Sequence, residues 1–139
     1  WYFLNLNVIN DVPNSFNTET KEEVYTMTDD FLVHYDDCSF NTKFVEDNSL
    51  TNQVRVRIDY YTIANDVSLE RDKNEVYLNY NPVEGVNIKQ ITDSVINDLK
   101  NNEIHTYDQL GSVSITITTS KTNIEKIKDN YQKYLDTYY

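Results

Sequence analysis

The chain has 139 residues and a formal net charge of -11, which repels nucleic acid and anionic membranes and so predicts no direct binding to either. Its single cysteine excludes an internal disulfide and a cysteine-rich zinc cluster, and its two glycines cannot build a glycine-rich phosphate loop. The length fits one domain spanning residues 1–139, and no apolar run approaches the roughly 20 residues of a membrane span.

Strand periodicity occurs three times before the first helix. In residues 2–9 every second side chain is apolar. The clearest strand is 53–63, and its inward-facing residues are Val54, Val56, Ile58 and Tyr60. The polar stretch 65–74 predicts a turn or exposed loop, and a further alternating strand is predicted at 75–80.

Acidic pairs recur at a spacing of seven residues within 22–42, and their members are Glu22, Glu23, Asp29, Asp30, Asp36 and Asp37. On a helix this spacing would place the pairs in one negative stripe. In extended chain, each pair would split across the sheet or mark a turn. The Thr, Val and Tyr content favours strands, but the pattern leaves both conformations open for residues 20–38. Both leave most carboxylates in solvent, so these six residues are our predicted acidic interaction surface.

Two amphipathic helices are predicted in the second half of the chain. The first spans about 87–101, opens with Asn87-x-x-Gln90, and has an apolar stripe formed by Ile88, Ile91, Val95 and Leu99. A strand with alternating apolar residues follows at 111–120. The second helix spans about 122–138, with Thr122-x-x-Glu125 as its capping box.

Together these elements predict an α+β fold. Its core would be a mostly antiparallel sheet of about five to seven strands, with both helices packed on one face.

Two sets of side chains have both a structural and a ligand-binding interpretation. Arg55 and Arg57 share a strand face with Asp59, and on so acidic a protein we predict ion pairs rather than a phosphate site. The tyrosines of the last helix predict docking on the sheet in preference to a tyrosine-lined ligand pocket, and they are Tyr131, Tyr134, Tyr138 and Tyr139.

The residues that most resemble a reactive set are His34, Asp36, Cys38 and His105. His34 and Cys38 have helical spacing for zinc, but no second ligand pair accompanies them. A cysteine nucleophile requires an electropositive setting, whereas Cys38 follows two aspartates. We therefore predict no metal, no cofactor and no catalytic residue.

The absence of catalytic motifs, together with the presence of amphipathic strands, predicts a non-catalytic structural or protein–protein interaction protein. Its composition is rich in Asn and Tyr, as expected from an AT-rich genome. This composition and the small α+β fold together suggest a subunit of a viral or phage particle, such as a head–tail or tail component. That hypothesis places a homo-oligomer in the virion or host cytoplasm, and a strict monomer in native mass spectrometry would contradict it.

The alternative hypothesis is an acidic inhibitor or immunity-type protein that occupies a basic nucleic-acid-binding cleft of its target. Residues 1–50 carry ten acidic and two basic residues, a net charge of -8, so the charge is concentrated in the first third. The partner would then be a basic protein. Binding that survives conversion of the six acidic residues to amides would contradict this hypothesis.

Overall fold

The computed structural model describes residues 7–9, 13, 16–35, 40–63, 65–82, 88–105 and 107–139. Within these ranges the strands are β1 (Asn7–Ile9), β2 (Thr18–Thr26), β3 (Leu32–Val33), β4 (Phe40–Glu46), β5 (Gln53–Tyr61), β6 (Asn65–Asp72), β7 (Glu75–Pro82), β8 (Glu103–His105) and β9 (Val113–Thr119). The helices are α1 (Ile88–Lys100) and α2 (Lys121–Tyr138), with a 3₁₀ helix at Asp108–Gly111. The α+β class and both helices are confirmed.

The described strands form three sheets, so the prediction of one sheet with five to seven strands is wrong. One sheet has the order β2-β5-β9-β4, the second β3-β7-β6, and the third pairs β1 with β8. The pairings β2–β5, β5–β9 and β6–β7 are antiparallel, and β1–β8, β3–β7 and β4–β9 are parallel. Periodicity shows which side of a strand is buried but does not identify its partner, which is why the predicted sheet was wrong.

The stretch 65–74, predicted as a turn or exposed loop, contains strand β6. It pairs with β7 in a hairpin whose turn contains Lys73, which has a φ of 56°. Only Val67 and Leu69 provide its apolar face, and Val67 is fully buried. The charged residues around them lie at more exposed positions, so the composition resembled that of a loop.

The main core joins the four-stranded sheet, the three-stranded sheet and α2. The four inward residues predicted for β5 are buried here, with exposures of 0 to 1%. Ile127 of α2 is fully buried in the same cluster. We call this side of the four-stranded sheet its inner face, and the opposite side its outer face.

The helices do not share one face, contrary to the prediction. α2 contacts β3, β4 and β9, whereas α1 contacts β8 of the two-stranded sheet. Ile91 of α1 packs on a separate small cluster around Phe16 and Leu110. Neither helix combines the length and apolar character needed to cross a membrane, within the ranges described.

The N-terminal cap of α2 lies two residues earlier than predicted. Ser120 has an extended backbone, and its side chain accepts a hydrogen bond from the Asn123 N–H at 3.3 Å. Thr122 lies within the first turn, so the predicted Thr122–Glu125 capping box is wrong. The box predicted at Asn87 lies outside the described residues.

Candidate functional site

The four predicted acidic residues that the structure describes lie in two places. Glu22 and Glu23 are in β2, so the strand conformation is confirmed there and their side chains face opposite sides of the sheet. Asp29 and Asp30 form the turn between β2 and β3. The third pair, Asp36 and Asp37, lies outside the described residues together with Cys38.

The outer face of the four-stranded sheet contains the ion pairs that the sequence predicted. Glu22 Oε1 lies 3.5 Å from Arg55 Nε across the β2–β5 pair, and Arg57 Nη2 lies 3.1 Å from Asp59 Oδ1. Asp59 also accepts a hydrogen bond from the Thr20 hydroxyl. Because both arginines already contact carboxylates, this face is not a preformed phosphate site.

The Asp29–Asp30 turn is fastened to α2. Lys126 Nζ lies 2.6 Å from Asp29 Oδ1, and hydrogen bonding with this ammonium lowers the pKa of Asp29. The Asn130 amide donates to the backbone oxygens of Asp29 and Phe31, both at 3.0 Å. These contacts fix the position of the turn relative to the helix, and therefore the position of Asp30.

A groove of about 310 Å³ lies between the C-terminal half of α2, the Asp29–Asp30 turn and the start of β7, and its lining is Asp30, Leu32, Asn74, Glu75, Asn130, Lys133, Tyr134, Thr137 and Tyr138. We call it the α2 groove. Asn74 Nδ2 donates to the Asp30 backbone oxygen at 2.6 Å, which ties two parts of the lining together. The lining therefore combines two carboxylates, one ammonium, amides and two aromatic rings.

A row of aromatic rings runs along the groove side of α2. The His34 and Tyr134 ring centroids are 4.7 Å apart at an interplanar angle of 90°, and those of Tyr134 and Tyr138 are 5.1 Å apart. Burial raises the pKa of Tyr134, and the nearby Tyr139 hydroxyl and Glu75 carboxylate raise it further. Tyr131 is buried as the docking interpretation predicted, whereas Tyr138 is 71% exposed.

The histidines occupy separate parts of the molecule. His34 Nε2 lies 3.9 Å from Glu75 Oε1 beside the α2 groove, while His105 lies in β8 next to α1. No cluster of three or more His, Cys, Asp or Glu side chains suited to a metal ion occurs in the described part of the chain.

Comparison of the chain with protein-family models, curated proteins and solved structures finds no match. The functional proposal therefore depends on the residues and geometry of the α2 groove. The sequence contained one signal of this groove, the tyrosine spacing in the last helix. It did not show that Glu75 and Asp30 would lie beside those tyrosines, because this depends on how the β6–β7 hairpin and the Asp29–Asp30 turn are placed.

A buried polar cluster beside α1 was not predicted. Asp98 is only 4% exposed, and its Oδ2 accepts a hydrogen bond from the Tyr107 hydroxyl at 2.7 Å. Its Oδ1 lies 3.0 Å from His105 Nδ1, a distance suited to an ion pair although the nitrogen is not aligned for a hydrogen bond. Burial raises the pKa of Asp98, but the contacts from Tyr107 and His105 outweigh it and leave the pKa below its usual value.

The hydrogen bonds of this cluster join α1 to β8 and to Tyr107. Ser94, one turn before Asp98, lies 3.0 Å from the Tyr107 hydroxyl, so α1 contributes two polar groups to one network with β8 and the following segment. Asp98 stands between Tyr107 and His105, and in the described part of the chain no serine or cysteine side chain is hydrogen-bonded to this histidine, as nucleophilic catalysis would need. The signal in the sequence was the four-residue spacing of Ser94 and Asp98, which places them on one face of the helix.

Proposed function

We propose that this protein is a non-catalytic interaction protein that binds a basic partner protein through the α2 groove. The observation that carries the proposal is the exposed aromatic surface beside the groove, where Tyr138 is 71% and Tyr139 is 92% exposed. Both rings pack around Tyr134, at centroid distances of 5.1 and 6.3 Å and interplanar angles of 44° and 67°. Tyrosine is enriched at the residues that dominate binding energy in protein interfaces, because it contributes a large ring and a hydrogen-bonding hydroxyl.

The charge of the chain supports a basic partner in preference to a second copy. At a net charge of -11, two copies repel each other, whereas a basic protein is attracted over a distance of several ångströms. The viral or phage subunit hypothesis needs contacts between copies, which this charge opposes. The inhibitor hypothesis also requires a basic partner. Our proposal differs from it in the binding surface, which is the α2 groove and not the six acidic residues alone.

The proposal is tested by comparing three forms of the protein as affinity baits in extracts of the source cells. They are the wild type, a Tyr138→Ser, Tyr139→Ser double variant, and a Val24→Thr control that changes an exposed apolar residue on the outer face of the sheet. Because all three side chains are exposed, we expect each form to fold. We expect basic proteins that are retained by the wild type and the control but lost by the tyrosine variant.

A protein that meets this criterion is then purified and its affinity measured. Removing the aromatic side chains should weaken binding by about tenfold or more, as expected for interface tyrosines. Equal affinity of all three forms would contradict the proposal. Sedimentation velocity of the purified protein alone measures self-association. If the wild type self-associates and the tyrosine variant does not, the groove binds a second copy of the chain instead of a basic partner.

A further inference from the structure

The geometry points to a cationic side chain, an arginine or lysine of the partner, as the group that occupies the α2 groove. This inference rests on the proposed function and makes it more specific, because it names the chemistry that the groove recognises. Three separate features of the lining favour a cation, and one opposes it.

The first feature is a pair of carboxylates that come from different elements. Asp30 comes from the turn before β3, and Glu75 opens β7. The Glu75 side chain is 43% exposed, and the His34 imidazole Nε2 lies 3.9 Å from its Oε1. Its oxygens are therefore accessible to a guanidinium or ammonium that enters the groove.

The second feature is the pair of aromatic rings of Tyr134 and Tyr138, which both line the groove and have centroids 5.1 Å apart. Aromatic faces attract cations, and guanidinium groups also stack on them. The protein makes this type of contact elsewhere, since Lys128 Nζ lies 4.7 Å from the Phe44 ring and Arg71 lies 5.6 Å from the Tyr25 ring. In the α2 groove the two tyrosine rings and the two carboxylates belong to one lining.

The third feature is the C-terminal end of α2. The helix ends at Tyr138, and its last turn contains no basic residue. Backbone carbonyls give a helix C-terminus a partial negative charge that cations stabilise. A cation in the groove would lie near this end, where the chain itself supplies no positive side chain in the last turn.

Lys133 is the feature that opposes a cation, because its ammonium is part of the lining. In a cation site this lysine repels the ligand, so its removal should strengthen binding. In a site for carboxylate or phosphate it would be the main attractive group, so its removal should weaken binding. The effect of Lys133→Ala on affinity therefore reports the sign of the ligand charge.

The experiment measures fluorescence anisotropy of labelled, end-blocked Gly-Arg-Gly-Arg-Gly and its Lys, Gln and Glu counterparts against the full chain. We expect the Arg and Lys peptides to bind and the Gln and Glu peptides not to. Glu75→Gln should weaken binding about fivefold, as removal of an exposed ion pair does, and Lys133→Ala should strengthen it by a similar factor. Thermal melting of each variant checks that it is folded.

Two matched controls separate the groove from the overall charge of the protein. Lys121→Ala removes the same charge as Lys133→Ala, about 18 Å away along the helix at 1.5 Å per residue. Glu125→Gln, at an exposed position of α2 about 12 Å from Lys133 along the helix, matches Glu75→Gln. Both controls should leave the affinity for the Arg peptide within about twofold of the wild type, since exposed charges at this distance are largely screened.

The inference would be overturned by preferential binding of the Glu peptide, by weaker binding after Lys133→Ala, or by equal effects of the variants and their controls. Absence of Arg-peptide binding up to about 1 mM would also overturn it. None of these results would contradict the proposed function if a captured partner is still lost on substitution of Tyr138 and Tyr139. If the partner is retained by that double variant, the proposed function fails whatever the peptides show.

Discussion

The two helices carry similar apolar stripes, yet they bury different kinds of surface. α2 places Ile127 in the main core and buries Tyr131 against Tyr35 beside it, with exposures of 0 and 8%. α1 leaves Ile96 and Leu99 each 47% exposed and buries the charged Asp98. The difference lies in what each helix meets: α2 contacts strands of both large sheets, whereas α1 contacts a strand of three residues. A helix buries its apolar stripe only to the extent that the rest of the fold supplies a surface to cover it.

The largest effect is expected where α2 enters the core. Ile127→Ala should lower the free energy of unfolding by about 3 kcal/mol, since it removes buried methyl groups and leaves a cavity between the sheets and the helix. Urea denaturation followed by circular dichroism measures this change. A loss below about 1 kcal/mol would show that α2 is not tightly packed on the core.

The contact that holds α1 to β8 is polar and is made by the buried Asp98. Asp98→Ala should lower the free energy of unfolding by about 2 kcal/mol, because the backbone N–H of His105 loses its acceptor inside the protein and the Tyr107 hydroxyl keeps only Ser94 as a partner. Asp98→Asn keeps an acceptor and should cost less. If Asp98→Ala has no effect in urea denaturation, the cluster is not what holds α1 to β8.

The charge on Asp98 makes part of this stability dependent on pH. Because its pKa in the folded protein is below the usual value, its carboxylate contributes stability above about pH 3.9, where an unfolded aspartate is also ionised. That contribution is lost as the pH falls through the lower folded pKa. The difference in unfolding free energy between the wild type and Asp98→Asn should therefore shrink from pH 7 towards pH 3. A constant difference across urea titrations in this range would contradict the lowered pKa.

The sequence predicted elements more successfully than their arrangement. The alternation in 53–63 identified the four buried residues of β5, and the three- and four-residue spacing located both helices. The same rules missed β6, whose apolar face has two residues, and they assigned both helices to one sheet. Pairing and layer order depend on contacts between residues far apart in the chain, which local periodicity does not contain.

The candidate site was predictable only in part, for the same reason. The tyrosine spacing in the last helix marked one wall of the α2 groove, and Asp30 belonged to the predicted acidic surface. Glu75 had no distinguishing feature in the sequence, and Asp98 was marked only by its four-residue spacing from Ser94. Their roles arise from neighbours contributed by other elements, and those neighbours are known only once the fold is known.

A substitution with a smaller expected effect on stability tests where α2 begins. Ser120→Ala should cost about 1 kcal/mol of unfolding free energy, because the Asn123 N–H loses the oxygen that caps the helix. Thr122→Ala, at the position where the sequence placed the cap, is the matched control and should change stability by less than about 0.5 kcal/mol. If thermal or urea unfolding shows a larger loss of stability for Thr122→Ala than for Ser120→Ala, the helix is capped at Thr122 as the sequence predicted.

The smallest effect is expected on the apolar stripe of α1. Ile96→Ala and Leu99→Ala should each change the free energy of unfolding by less than about 0.5 kcal/mol, since both side chains are half exposed and alanine has the higher helix propensity. Ile127→Ala, the same chemical change on α2, provides the scale for this comparison. The measurement is made at two protein concentrations, because a stripe covered by another copy would lose stability only at the higher one. A loss above about 1.5 kcal/mol at both concentrations would mean that α1 is covered within the same chain, and the contrast between the two helices would then disappear.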